Sequence, residues 1–278
     1  MMSDLVAIQI TSTPNIKHNL ELIEHQLKQL ENKLQLVVLP ECFAFFGARD
    51  KAQIDIAETL DTGPIQIALS ALAKRYNKWI VAGTLPIKSL ENDTDREAKA
   101  KFYAASLVYD NDGVRVSRYD KIHLFDVSVN DNTGDYKESA TTLPGQNVIT
   151  FGSPWGTVGQ IVCYDLRFPE LIQKMPQLDV LVVPSAFTRR TGEAHWHPLL
   201  QARSIENQCY VVASDQTGVH NNGRETYGNS CIYSPWGELL ANLPADAGWV
   251  AAKYDKTLLA NIRKEMPIQQ HKHNRKPF

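Results

Sequence analysis

The chain has 278 residues, 43% of them hydrophobic and 22% charged, with 29 Lys and Arg against 31 Asp and Glu for a formal net charge of -2. That length can bury a substantial core, and the near-even charge gives no electrostatic footing for nucleic acid or an acidic membrane surface, so neither is expected as a partner. No apolar run is long enough for a bilayer span, the opening M-M-S-D-L-V-A-I-Q-I lacks the basic flank of a secretory signal, and Cys42, Cys163, Cys209 and Cys231 form no C-x-x-C pair; a cytoplasmic protein with reduced thiols is expected.

Leu5 to Ile10 reads as a buried strand. From Asn15 an amphipathic helix follows, with Leu20, Ile23, Leu27 and Leu30 on one face, and Leu34 to Leu39 is a second apolar strand closed by Pro40-Glu41. Strand, helix, strand opens an α/β unit and puts Glu41 at the carboxyl end of a strand, where ligand sites of open α/β sheets collect. Glutamates after strands are most often solvated, but Cys42, Phe43, Phe45 and Phe46 surround this one with apolar groups, and a partly buried carboxylate is drawn toward base chemistry.

Gly63-Pro64 starts a second helix, to about Asn77, and Trp79 to Leu85 returns as a strand. Ser89 to Ala100 is charged and turn-like, a surface loop. Phe102 to Tyr109 and Val114 to Tyr119 flank the turn D-N-D-G as a hairpin, so the sheet should be mixed. Lys121 leaves this hairpin among Tyr119, Ile122, Leu124 and Phe125, and an ammonium desolvated there can stabilise an oxyanion. Val127 to Gly145 is polar and aperiodic, an excursion of the length that accompanies function.

The run G-Q-I-V-C-Y-D-L-R-F-P-E ends an apolar strand at Cys163, with a helix expected over Arg167 to Met175. A cysteine alone is usually a small buried hydrophobe; at a strand-to-helix turn, converging backbone N–H groups favour a thiolate and leave the Tyr164 amide to face an oxyanion. Leu178 to Val183 is a further buried strand ending in S-A-F-T, Glu193 to Gln208 a helix, and Cys209 to Ser214 the next strand. Tyr227 to Tyr233 and Trp249 to Tyr254 form an antiparallel section, Lys256 to Lys264 a last helix, and Gln269 to Phe278 a basic tail. No linker divides the chain, and residues 1–278 read as one domain of two layered, mostly buried sheets. A metal site on His195, His197, His271 and His273 is disfavoured, since H-x-H in a helix does not bring both rings to one face.

Glu41, Lys121 and Cys163 thus stand at sheet edges in apolar surroundings, and carboxylate, ammonium and thiol suffice for nucleophilic catalysis at a carbonyl-like carbon. The segments L-P-E-C-F, Y-D-K-I-H-L-F-D and G-Q-I-V-C-Y-D-L-R-F-P-E resemble, in order, the three catalytic signatures of the nitrilase superfamily of carbon–nitrogen hydrolases. The resemblance extends over essentially the whole chain and implies a four-layer α-β-β-α sandwich with two mixed sheets, commonly a homodimer, that works without a cofactor or metal as an amidase through a cysteine thioester. It casts Cys163 as nucleophile, Glu41 as general base and Lys121 as oxyanion-stabilising cation, and aligns Glu138 with a second glutamate that orients the lysine and the base. S-A-F-T with T-G-E-A-H-W and Q-C-Y-V-V looks most like the branch acting on deaminated glutathione, with ω-amidases close by, and implies a small carboxylate-bearing amide as substrate. Phe187 and Thr188 are then substrate-site candidates, and Arg189 and Arg190 are candidates for a distal carboxylate. A catalytically silent small-acid-binding or scaffold homologue is the rival from another class; the four matched positions are intact.

Overall fold

The computed structural model describes residues 4–49, 51–89, 101–129 and 134–273. Two mixed sheets lie face to face. In the first, strands run in the order Gly248–Lys253, Asp4–Gln9, Gln35–Val38, Lys78–Lys88, Phe102–Tyr109 and Arg115–Asp120. In the second the order is Leu239–Leu243, Ser230–Tyr233, Tyr210–Asp215, Val180–Ser185, Gly156–Gln160 and Thr150–Ser153. Three adjacent strands in each sheet are parallel and their outer neighbours antiparallel, the mixture expected from the hairpin signals.

The unbroken apolar runs follow from burial of both faces of each sheet. Leu5 and Ala7 join Leu36, Val38, Val180, Val182, Tyr210 and Val212 in the core between the sheets. Val6 and Ile8 point the other way, onto Ile23 and Leu27 of the helix Ile16–Gln29 and Leu69 and Leu72 of the helix Pro64–Tyr76. Leu181, Val183, Val211 and Ala213 likewise meet Trp196 and Leu200 of the helix Arg189–Asn207 on the far side. Helices outside both sheets make the α-β-β-α sandwich.

Four local readings change. The helix expected from Glu193 begins at Arg189, because the Thr188 hydroxyl caps it by accepting the Thr191 N–H at 3.3 Å. The helix expected over Arg167 to Met175 is a 3₁₀ turn, Cys163–Arg167, followed by a short helix, Pro169–Gln173. The strand expected over Tyr227 to Tyr233 breaks at Gly228-Asn229, both in the left-handed region, so that Glu225–Tyr227 pairs with Thr217–Val219 and only Ser230–Tyr233 joins the sheet. The excursion after Phe125 holds a small hairpin, Asp126–Ser128 with Asp135–Lys137, and the turn Glu138–Ala140. Residues 90–100 of the expected surface loop and 274–278 of the tail lie outside the described residues, while Ile268–His273 is helical.

Candidate active site

Glu41 follows the strand Gln35–Val38 through a turn pressed against the next strand. A side chain at Gly83, whose φ is +30°, would put Cβ 1.8 Å from the Pro40 carbonyl oxygen, so this close approach requires glycine. The second sheet holds the turn from the other side: the Glu41 N–H donates to the Ser185 carbonyl (3.2 Å), and Gln216 Nε2 donates to the Glu41 carbonyl (2.9 Å). Glu41 is 6% exposed.

Lys121, 2% exposed, leaves the strand Arg115–Asp120 with its N–H on the Ala104 carbonyl (3.0 Å). Its Nζ donates to Glu41 Oε1 at 2.8 Å and to both oxygens of Glu138 at 2.8 and 3.0 Å. Glu138 is fixed in turn by the Phe125 N–H on Oε2 (2.7 Å). The excursion that looked featureless in sequence thus returns one carboxylate to the lysine.

Cys163 opens the 3₁₀ turn with a positive φ of 48°, a conformation that non-glycine residues adopt only when the surroundings enforce it. Asp165, fully buried, supplies the enforcement. Its carboxylate accepts from the Val162 N–H (3.0 Å), the Tyr119 hydroxyl (2.7 Å) and the His123 N–H (2.9 Å), and lies 2.8 Å from His123 Nδ1. The nucleophile turn is therefore bolted to the segment that carries Lys121. Cys163 lines the same cavity as Glu41 and Ala186, and both act on its thiol.

Burial, and then the neighbouring Glu41 carboxylate, push the Cys163 thiol well above its ordinary value. Burial works against the Lys121 ammonium, but Glu138 and Glu41 outweigh it and hold its pKa well above that of a free lysine. Burial also raises the Glu138 carboxyl, with Lys121 opposing. A protonated thiol, a neighbouring carboxylate and a charged ammonium can together move a proton off sulfur and meet negative charge developing on a bound oxygen.

These groups form the floor of one cavity walled by Phe46, Phe125 and Phe187. Of the sequence candidates, Glu41, Lys121, Glu138, Cys163, Tyr164, Phe187 and Thr188 all line it. Arg189 and Arg190 do not: capping by Thr188 winds them into the exposed first turn of the helix, where Arg189 pairs with Glu193 (3.0 Å) and Glu225 (2.7 Å). The guanidinium groups that do border the cavity are those of Arg167 and Arg224. Arg167 stood inside the quoted cysteine motif; Arg224, in the polar stretch N-N-G-R, carried no sequence signal. Of the histidines weighed as metal ligands, His195 accepts at Nδ1 from Arg167 (3.1 Å) and His197 Nδ1 lies 2.9 Å from the Tyr233 hydroxyl.

The carbon-nitrogen hydrolase family model matches residues 5–264. A relative from Yersinia enterocolitica named deaminated glutathione amidase is 39% identical over 271 residues, 97% of this chain and 92% of its own. The NitFhit protein of Caenorhabditis elegans superposes with a TM-score of 0.84 at 35% identity, covering 97% of this chain and 65% of that one, so the chain spans about two thirds of its length. Saccharomyces cerevisiae Nit3, a member of branch 10 of the nitrilase superfamily, superposes with a TM-score of 0.83 at 27% identity over 98% of this chain and 96% of its own. Signatures, sandwich and family match coincide along the same residues, and the chain belongs to the carbon-nitrogen hydrolase family.

Proposed function

We propose that the protein is a cysteine amidase with Cys163 as nucleophile, Glu41 as general base, Lys121 as the oxyanion's counter-charge and Glu138 as the residue that positions the lysine. The observation that carries this is Lys121 Nζ, 2.8 Å from both Glu41 and Glu138, in the cavity that Cys163 also lines. With its pKa raised, the thiol keeps its proton at rest, so sulfur becomes nucleophilic as Glu41 takes that proton and the S–C bond forms at the amide carbon. The oxyanion rests between the Lys121 ammonium and the Tyr164 N–H. Glu41 returns the proton to the departing nitrogen, the C–N bond breaks and a thioester remains. Water then attacks the thioester as Glu41 accepts its proton; the acid leaves and the thiol is restored.

For the substrate we propose deaminated glutathione, cleaved to α-ketoglutarate and cysteinylglycine. The Yersinia relative's name suggests it, and the two guanidinium groups at the cavity support it, since this molecule carries a carboxylate at each end. α-Ketoglutaramate, the ω-amidase substrate, carries only one. A homodimer belongs to the same proposal, supported by the exposed Ile205, Trp236 and Leu239, with Ile205 lying against Gly237, between the other two in sequence. A reducing compartment is supported by four unpaired thiols. The test is a side-by-side comparison of kcat/KM for deaminated glutathione, α-ketoglutaramate and an N-carbamoyl amino acid. The first is expected to lead; preference for either of the others removes the substrate assignment and leaves the chemistry, and turnover of none removes both.

A further inference from the structure

We propose that Arg224 is a specificity-determining residue that holds a carboxylate of the substrate close to the reacting centre. The proposal rests on the amidase reading of the same cavity and adds to it a residue with no sequence signal.

Arg224 stands at the end of the turn between Thr217–Val219 and Glu225–Tyr227. The turn is tied on itself: the His220 N–H donates to the Arg224 carbonyl (2.9 Å), and the Arg224 N–H donates to Asn222 Oδ1 (3.1 Å). From this base the side chain reaches back into the cavity between two rings, its Cζ 5.0 Å from the centroid of Phe46 and 4.9 Å from that of Tyr136. Aromatic faces attract a guanidinium but do not neutralise it.

Among the described residues the charge has no counter-ion. Arg75, Arg115, Arg118, Arg189, Arg203 and Arg263 each pair with a carboxylate; among the described residues none lies within ion-pair distance of Arg224. Among the described residues its side chain donates from Nη2 to the Ala186 carbonyl (3.1 Å), its Nε is buried without an acceptor, and the residue lines the cavity. Behind Phe46 stands His220, edge-on at 4.4 Å, its ring held between the Ser12 carbonyl (3.0 Å) and the Thr226 hydroxyl (2.8 Å). A cation drawn partly out of water, with no anion to answer it, is a cost that a bound carboxylate relieves.

Ala186 fixes how far such a carboxylate lies from the chemistry. Its carbonyl receives Arg224 and it lines the same cavity as Cys163, so the guanidinium is anchored on a residue beside the nucleophile. Arg167 is arranged differently, over Tyr164 and Phe187 and bonded to His195. The class recognised at Arg224 is therefore an amide with a carboxylate only a few bonds from the scissile carbonyl.

The test uses the full-length protein and the variants Arg224→Gln and Arg224→Lys, with kcat and KM measured for deaminated glutathione and for a neutral amide, butyramide. Loss of one charge-assisted contact of this kind is expected to lower the preference for the carboxylate substrate roughly 10- to 100-fold in R224Q, mainly through KM, with R224K between R224Q and the native protein. Arg189→Gln, whose charge is already paired outside the cavity, serves as the contrast and should hold the native preference. Glutarate, a plain dicarboxylate, gives a second readout that needs no turnover: it should protect Cys163 of the native protein from iodoacetamide and protect R224Q only at roughly tenfold or higher concentration. Equal loss toward both amides, or undiminished glutarate protection in R224Q, overturns the proposal. If the native protein cleaves neither amide the amidase reading fails, and the glutarate comparison still decides whether Arg224 binds carboxylates.

Discussion

The floor and the walls of the cavity handle positive charge in opposite ways. On the floor, Lys121 is almost fully buried and held by two carboxylates at hydrogen-bond distance. On the walls, Arg167 and Arg224 are half-buried, rest against aromatic rings and have no carboxylate partner among the described residues. The difference teaches what each charge is for. A cation answered inside the protein is fixed in place and can serve a transition state, whereas a cation left unanswered at a cavity is completed by what enters it.

The largest effect expected on the floor comes from the sulfur and its base. Cys163→Ala and Glu41→Gln should each lower kcat by roughly 10⁴-fold or more, because nucleophile and base act as a unit and losing either stops the same step. Single-turnover assays with trapping of the thioester check this, and near-native turnover in either variant would refute the assignment. Lys121→Met probes the pairing itself. It leaves Glu41 and Glu138 buried with no cation between them, so it should destabilise the fold by about 3–5 kcal/mol and lower kcat by roughly 10²–10³-fold. Chemical denaturation alongside kinetics separates the two losses, and a native denaturation midpoint would show that the floor is not held by this ion pair.

The smallest effect concerns pH. A thiol whose pKa is raised is protonated at neutral pH and becomes thiolate only as pH climbs. Alkylation of the resting protein by iodoacetamide should therefore be slow at neutral pH and still rising past 9.0, the ordinary value of a cysteine in this environment's absence. A plateau in the neutral range would mean that sulfur is already ionised at rest and that Glu41 need not take its proton in the first step.

Much of this was legible in the residues. Leu5 to Ile10 and Leu178 to Val183 announce strands buried on both faces by the absence of alternation, and both are interior strands of a sheet. Glu41, Lys121 and Cys163 stood out as polar groups at the ends of apolar runs, and Glu138 entered through the family resemblance alone. Arg189 and Arg190 were drawn into the candidate site by their nearness to S-A-F-T in sequence; one hydroxyl cap on Thr188 turned them outward. Arg224 was invisible because its partners, Phe46, Tyr136 and Ala186, come from three distant segments.

By itself the sequence determined which stretches must be buried and which chemical groups stand at their ends, because hydrophobic period and capping act over a few residues and are written locally. Only the tertiary structure decided which charges face one another. Lys121 finds Glu41 80 positions away and Glu138 17 away, and Arg224 settles on Ala186 38 positions back. Such meetings depend on how the two sheets pack and where their connecting turns are anchored, and in a close-packed interior that placement is a property of all the contacts together.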